Sequence, residues 1–381
     1  MKKLLMMIGA AAVAVGACAD TVTTNGETRT YTVLDSSKSP ATVRLGDGTA
    51  ACIAASTAVN AADIPWTFTN DGIDYTVTAI GEAAFYDCSK LSGTLAIPAS
   101  VTSMGERAFA LSGISAVSSI GGIATIPRYA FNTSSSLTDF TADISKVTKI
   151  TYGAFQSCNL NHFYVPGSTT VDAERLFRSN KSFKLFFAGP NTTGSKVATS
   201  TQILSGVTTS NAKVFVPAKS SWNGLDVGGT GNEVVYYGAT TNLDFVVDDA
   251  AKTITATPTD EEALVKVLES APLFKTHFGW NTRVNITNTI EATAGTITAE
   301  MLNAVEFNTL LLTFKVNTQA ALDSVLAAVP ASNWPLLAID ASDSKEELTL
   351  PQGREIYVRV SGDGKQGKYI PKIRGLIISF H

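Results

Sequence analysis

The chain has only three histidines for imidazole chemistry, His162, His277 and His381, each in a different region. No His-x-x-x-His or Cys-x-x-Cys spacing occurs, so a conventional zinc centre, which needs clustered nitrogen and thiolate ligands, is not expected. No Gly-x-Ser-x-Gly elbow singles out a nucleophile. Catalytic triads do assemble from distant positions, which leaves a hydrolase cleft within 240–381, built around His277, as an alternative. Gly362-Asp-Gly-Lys365 ends like a phosphate loop but lacks the four-residue spacing and the Ser or Thr after Lys, so it reads as a turn. The run from Asp340 through Asp343 to Glu346 and Glu347 lacks the turn-making glycine of a calcium loop and reads as a solvated acidic loop. Asp248-Asp249 reads as a hairpin tip. No catalytic, metal-ligating or cofactor-binding residue is expected from these motifs.

The strongest pattern is structural. Phe85, Phe109, Phe131, Phe155 and Phe177 recur at intervals of 24, 22, 24 and 22 residues, each preceded by Ala84, Ala108, Ala130, Ala154 or Leu176. A period in the low twenties is too short for a domain and marks a solenoid whose coils bury their apolar sides only against one another. Val77, Val101, Ile123 and Val147 stand eight residues before the ring, and Ile80, Met104, Ile126 and Ile150 five before it, all predicted to point inward. The fifth coil carries Thr169 and Asp172 at those positions. Leu91, Leu137, Leu160 and Phe183 follow five or six residues after the ring, and extended runs end in Pro98, Pro166, Pro190 and Pro217. Each coil therefore reads as a short strand, a tight helical turn carrying Ala-Phe, a second strand and a turn.

Two further columns flank the rings. Glu82, Glu106, Arg128, Tyr152 and Glu174 stand three residues before each Phe, and Ala83, Arg107, Tyr129, Gly153 and Arg175 two before it. Projecting from one face, Glu82, Glu106, Arg107, Arg128, Tyr129, Tyr152, Glu174 and Arg175 would form a mixed-charge, tyrosine-bearing stripe suited to a partner. An ordinary polar exterior turn is the alternative.

Ile97-Pro98-Ala-Ser-Val101-Thr-Ser-Met104-Gly105-Glu-Arg-Ala108-Phe109 and Gly81-Glu-Ala-Ala84-Phe85-Tyr-Asp-Cys88-Ser-Lys-Leu91 together carry a recognisable signature. They resemble the BspA-like leucine-rich repeat family, whose coils read approximately Ile-Pro-x-x-Val-x-x-Ile-Gly-x-x-Ala-Phe-x-x-Cys-x-x-Leu. The resemblance covers about residues 73–190. It implies a secreted or surface-attached microbial protein that binds host or matrix proteins and has no enzymatic activity. The family shares no ligand-contact residues, so none is carried over.

Composition and targeting agree with an extracellular setting. The chain of 381 residues is 45% hydrophobic and 16% charged, with a formal charge of −4. Lys2-Lys3, an apolar core and Ala17-Cys18-Ala19 make a secretory signal over 1–19, with cleavage expected after Ala19 in preference to lipidation at Cys18. Cleavage removes two lysines and no acid, taking the charge to −6. No other segment is long and apolar enough to span a bilayer, and a mildly acidic surface argues against nucleic acid. Cys88 and Cys158 occupy the same column three coils apart, too far for a disulfide. The state of Cys52 is open.

The flanks complete the organisation. Residues 20–74 read as a cap of β hairpins, with turns at Gly46-Asp-Gly48 and Asn70-Asp-Gly72. The repeats and their terminal coil span 75–238, with Glu233–Tyr237 as closing strand. Residues 239–381 read as an α/β domain with a duplicated strand–helix–strand unit. A capping box at Thr259–Glu262 opens its first helix, Asn317 caps the second, and Pro272 and Pro330 end them. The expected fold is thus a β-rich leucine-rich-repeat solenoid of five to six coils between this cap and this domain. The expected role is secreted, non-enzymatic recognition or adhesion through the repeat surface, with a protein or glycan partner. A cell-envelope spacer displaying the C-terminal domain is the structural alternative.

Overall fold

The computed structural model describes residues 19–24, 27–195, 203–204, 206, 211–287, 290–293, 296–309, 312–328, 337–340, 349 and 357–359. The signal segment up to Cys18, the Gly362-Asp-Gly-Lys365 turn, Pro330, Asp343, Glu346 and Glu347 lie outside these. The chain forms two compact units, 1–160 with 175–180, and 161–174 with 181–381.

In the first unit, the five phenylalanines stack as one column. Ring centroids are 5.0, 5.6, 5.5 and 6.0 Å apart from Phe85 through Phe177, and the interplanar angles are 6°, 8°, 1° and 16°. Every ring is fully buried, as are the preceding Ala84, Ala108, Ala130, Ala154 and Leu176. Phe140 packs edge-on against Phe131 and Phe155, completing the aromatic seam. The aliphatic column eight residues before the rings is buried throughout, and the column five before is buried at Ile80, Ile126 and Ile150. Met104 is the exception, only half-buried.

Two parallel ladders run along the coils. Val59–Asn60, Leu91–Ile97, Gly113–Ile120 and Asp139–Phe140 pair in parallel, as do Thr125–Ile126 and Lys149–Ile150. The Ala-Phe segment between ladders is not the helical turn expected from the repeat. Residues two before and two after each ring adopt positive φ: Ala83, Arg107, Tyr129, Gly153 and Arg175 on one side, Asp87, Leu111, Thr133, Ser157 and Ser179 on the other. Left-handed and right-handed residues alternate, so alternate N–H groups point at the next coil. Phe85 N–H donates to the Ala108 carbonyl at 2.7 Å, Phe109 to Ala130 at 2.8 Å, Phe131 to Ala154 at 2.9 Å and Phe155 to Leu176 at 3.2 Å. A left-handed non-glycine costs about 1–3 kcal/mol. The inter-coil hydrogen bonds that it permits offset that cost, which a helical turn could not do because its N–H groups stay within the turn.

A sheet precedes the repeats, in the order Ala19–Thr24, Glu27–Asp35, Ala41–Leu45, Ile73–Ile80 and Thr67–Asn70. Asp71 (φ 49°) and Gly72 (φ 75°) make the two-residue left-handed turn between the last two strands. Gly46-Asp47-Gly48 closes no hairpin. The Asp47 carboxylate instead accepts the backbone N–H groups of Thr49 and Ala50, which a returning strand would need. Ala41–Leu45 pairs antiparallel with Glu27–Asp35 and parallel with Ile73–Ile80.

The second unit has its own parallel sheet of His162–Val165, Leu185–Ala188, Lys213–Pro217 and Glu233–Tyr237. Phe187, Phe215 and Tyr237 from these strands share one core with Phe245, Phe274 and Trp280. This shared core is the physical reason that the compact unit does not end at residue 238. Thr169 and Asp172, polar where other coils are aliphatic, are buried but satisfied locally, by the Pro166 carbonyl and the Glu174 N–H.

The hairpin Leu243–Asp248 with Thr253–Pro258 leads into the helix Glu261–Phe278. Asp260, not Thr259, caps this helix, its carboxylate accepting the Ala263 N–H at 2.8 Å. The helix continues through Pro272 and ends at Gly279 (φ 70°). Two layers of parallel strands follow. Asn281–Asn285 and Val305–Thr309 extend the hairpin strand Thr253–Pro258 into a four-stranded sheet, and Ile290–Thr293, Leu312–Lys315, Leu337–Asp340 and Tyr357–Arg359 form another. A short helix, Ala299–Asn303, and a longer one, Gln319–Ala328, connect them. Thr318, not Asn317, caps the latter, its hydroxyl accepting the Ala321 N–H. Among the described residues, no helix is long and apolar enough to cross a membrane.

Candidate functional site

The left-handed residues two before each ring project from the outer wall of the coils, and the residues three before stand beside them. This backbone brings five of the eight predicted stripe residues into one chain of contacts. Arg107 lies 5.7 Å from the Tyr129 ring centre and Arg128 5.0 Å from it. Arg128 also lies 5.1 Å from the Tyr152 ring, and Arg175 5.6 Å from that ring. The two tyrosine rings meet edge to face at 5.3 Å. Guanidinium groups and aromatic faces therefore alternate along the coils, an arrangement that cation–π attraction favours.

Glu82 joins the end of this chain through a 3.9 Å contact with Arg107, both side chains being about half exposed, so the pair contributes little to stability. Glu106 is exposed and makes no side-chain contact there; its backbone carbonyl accepts the Ala83 N–H. Glu174 belongs to the second unit, where its N–H is held by Asp172. Arg128 and Arg175 make no ion pair among the described residues. Burial raises the Tyr129 phenol pKa, but hydrogen bonding to Tyr152 and Arg128 and the charges of Arg128 and Arg175 outweigh it, and the pKa falls below its ordinary value.

Gly153 makes room for this packing. A Cβ there would lie 2.6 Å from the Tyr129 ring, so the ring rests on a bare backbone. The repeat register places Gly153 in the column, but only the ring's position explains why this coil has no side chain at that site.

Three residues after each ring, a buried polar column replaces a functional one. The Ser134 hydroxyl donates to the Phe109 carbonyl at 2.7 Å, the Cys158 thiol to Phe131 at 3.0 Å and the Asn180 amide to Phe155 at 2.8 Å. Cys52, Cys88 and Cys158 are all free and buried. Burial, followed by the Asp87 charge, pushes the Cys88 thiol up to about 11. These cysteines serve packing and backbone satisfaction, and burial keeps them from acting as nucleophiles.

In the second unit, a groove of about 770 Å³ is lined by Ser182, Lys184, Lys213, Glu269 and His277 among others. His277 is thus near a serine and a carboxylate, the residue types a hydrolase needs. The required relay is not assembled, because Glu269 pairs with Lys213 at 3.1 Å, and among the described residues His277 bonds to neither Ser182 nor Glu269. Burial and the Lys184 charge lower the His277 pKa. His162 lies against His277 with ring centres 5.1 Å apart and planes tilted by 37°, and His162 also meets Phe278 edge to face. Among the described residues, no three metal-ligating side chains converge.

The parallel ladders, the stacked ring column and the coil-to-coil turns define a leucine-rich-repeat fold. Residues 67–184 are a BspA type leucine-rich repeat region, matched in six copies. No curated protein matches the chain. Among solved structures, the chain is similar to a leucine-rich repeat protein from Bacteroides ovatus, with 14% identity, 91% of each chain covered and a TM-score of 0.38. It is also similar to a leucine-rich cell surface protein from Faecalibacterium prausnitzii, with 17% identity, 88% of this chain and 83% of that one covered, and a TM-score of 0.39. The pneumococcal vaccine antigen PcpA shows 12% identity over 90% of this chain and 99% of its own, with a TM-score of 0.28.

Proposed function

We propose that this protein is a non-enzymatic recognition protein, exported by the signal at 1–19, which binds a partner through the outer wall of its repeats. The observation that carries the reading is the continuous Arg107–Tyr129–Arg128–Tyr152–Arg175 ladder on that wall. Arginine and tyrosine are the residues that dominate protein interfaces, because each offers large contact area with a polar edge. The BspA-type region supports the same role. The sheet over Ala19–Ile80 serves as a cap, since its last strand pairs in parallel with Ser103–Met104 and shields the first coil.

Substituting Tyr129→Ala, Tyr152→Ala and Arg128→Glu in the full secreted chain tests this. Capture of a surface or matrix protein by the native chain and not by these variants, with unchanged circular dichroism, is expected. Equal capture by all of them leaves the coils as a spacer.

A further inference from the structure

We propose that the partner presented to this wall is an acidic segment of a protein, clamped by Arg128 and Arg175 over the two tyrosine rings. This rests on the recognition reading above and adds the chemistry of the ligand. The wall as a whole is balanced, with Arg107, Arg128 and Arg175 against Glu82, Glu106 and Glu174, and its third to fifth coils carry two arginines to one glutamate. A guanidinium that covers an aromatic face with its plane still has its N–H edge for a carboxylate, which it binds in a two-pronged fashion. Arg128 and Arg175 lie 5.0 to 5.6 Å from the Tyr129 and Tyr152 ring centres and, among the described residues, pair with no carboxylate, whereas Arg107 has Glu82. These two guanidiniums belong to the third and fifth coils, separated by ring steps of 5.5 and 6.0 Å. An extended segment advances about 3.3 Å per residue, so carboxylates three or four residues apart reach both. Glu106 and Glu82, the latter beside Arg107, occupy the other end of the stripe and Glu174 adjoins Arg175 in sequence, so a uniformly anionic chain is disfavoured and a basic residue is accepted next to the acidic ones. The pattern therefore fits a peptide of mixed charge, acidic over coils three to five, better than a densely sulfated glycan.

The test is fluorescence anisotropy with the full chain and two labelled probes. One is a short peptide with glutamates three and four residues apart and a lysine at one end, and the other is a heparin-derived oligosaccharide. The peptide is expected to bind, to weaken as salt rises, and to lose about tenfold in affinity with each of Arg128→Gln and Arg175→Gln. Arg128→Lys and Arg175→Lys, which keep the charge but not the fork, serve if the glutamine variants unfold, with a loss of about threefold expected. Equal peptide binding by native and substituted chains, binding of the oligosaccharide alone, or binding of neither probe overturns the proposal. The capture experiment above is independent of these probes, so recognition can survive while the acidic ligand does not.

Discussion

The Asn180 carboxamide donates to the Phe155 carbonyl oxygen one coil back at 2.8 Å, and its own oxygen accepts the Leu160 N–H at 3.0 Å. It also donates to the Phe177 carbonyl at 3.0 Å, and it is fully buried. One side chain thus stitches the Phe155 coil to the Phe177 coil. Replacing Asn180 by Leu keeps the branching at Cγ, but its larger methyl groups add overpacking and the change strands three buried backbone contacts. Each costs about 1–3 kcal/mol, so a loss of about 3 kcal/mol or more is expected in urea unfolding. Ser136→Ala, on an exposed turn, should stay within about 0.5 kcal/mol.

The spacing of the phenylalanines was enough to read the ring column, because every coil needs one large flat side chain at the same depth. The polar column was only partly legible. Cys88 and Cys158 look like small core residues in sequence, and their relation to Ser134 and Asn180 is visible only once Ser134, Cys158 and Asn180 are each seen reaching a Phe carbonyl. The left-handed backbone gave no sign in sequence, since Arg107, Tyr129, Thr133 and Ser157 hold it where glycine would advertise it. Beyond residue 238, the competing caps were undecidable from residue type. Thr259 and Asp260 are both good caps, as are Asn317 and Thr318, and only the path of the backbone selects Asp260 and Thr318. The Arg/Tyr columns followed from register, whereas their alternating stacking depends on side-chain direction.

Gly153 and Tyr129 give a second prediction. In Gly153→Ala the new methyl meets the ring at 2.6 Å, at a residue with φ of 60°. The ring must leave the backbone and its place beside Arg128 and Tyr152. The left-handed alanine costs about 1–3 kcal/mol by itself, and the clash adds to it. In a Tyr129→Ala background only the backbone part remains, so the two substitutions should be less than additive in a double-mutant cycle. Carbon-13 tyrosine NMR should show the Tyr129 phenol titrating at higher pH in Gly153→Ala than in the native chain, since the groups that lower it are lost.

The thiols predict both reactivity and alkaline behaviour. Cys52, Cys88 and Cys158 are buried, and burial raises the pKa of each, that of Cys88 to about 11 from an ordinary value of 9.0. Near pH 8 the native chain should resist iodoacetamide at all three, and the urea-unfolded chain should react fully, as mass spectrometry would show. A folded pKa above the unfolded one favours the native state while the thiol is protonated in both. That contribution is complete below pH 9 and is lost as pH rises towards 11, so the urea midpoint should fall across that window. Cys88→Ala should flatten the fall. An unchanged slope would assign the loss to other groups.

Pro272 stands within the helix Glu261–Phe278 and is exposed, so the helix carries a residue that has no N–H to give. A proline in a helix interior is less favourable than alanine by about 3 kcal/mol, through the lost hydrogen bond and the clash of its ring with the preceding turn. The flanking turns compensate by burying Leu268, Ala271 and Phe274 in the second unit's core, and by the Gly279 and Trp280 N–H groups closing on Lys275 and Phe274. Pro272→Ala removes no buried contact and restores a donor. It should therefore stabilise the second unit by about 1–3 kcal/mol and raise its thermal midpoint. A decrease would mean that Pro272 sets the packing of Phe274 against Phe215 and Phe187, whose rings now lie 5.1 and 5.9 Å from it.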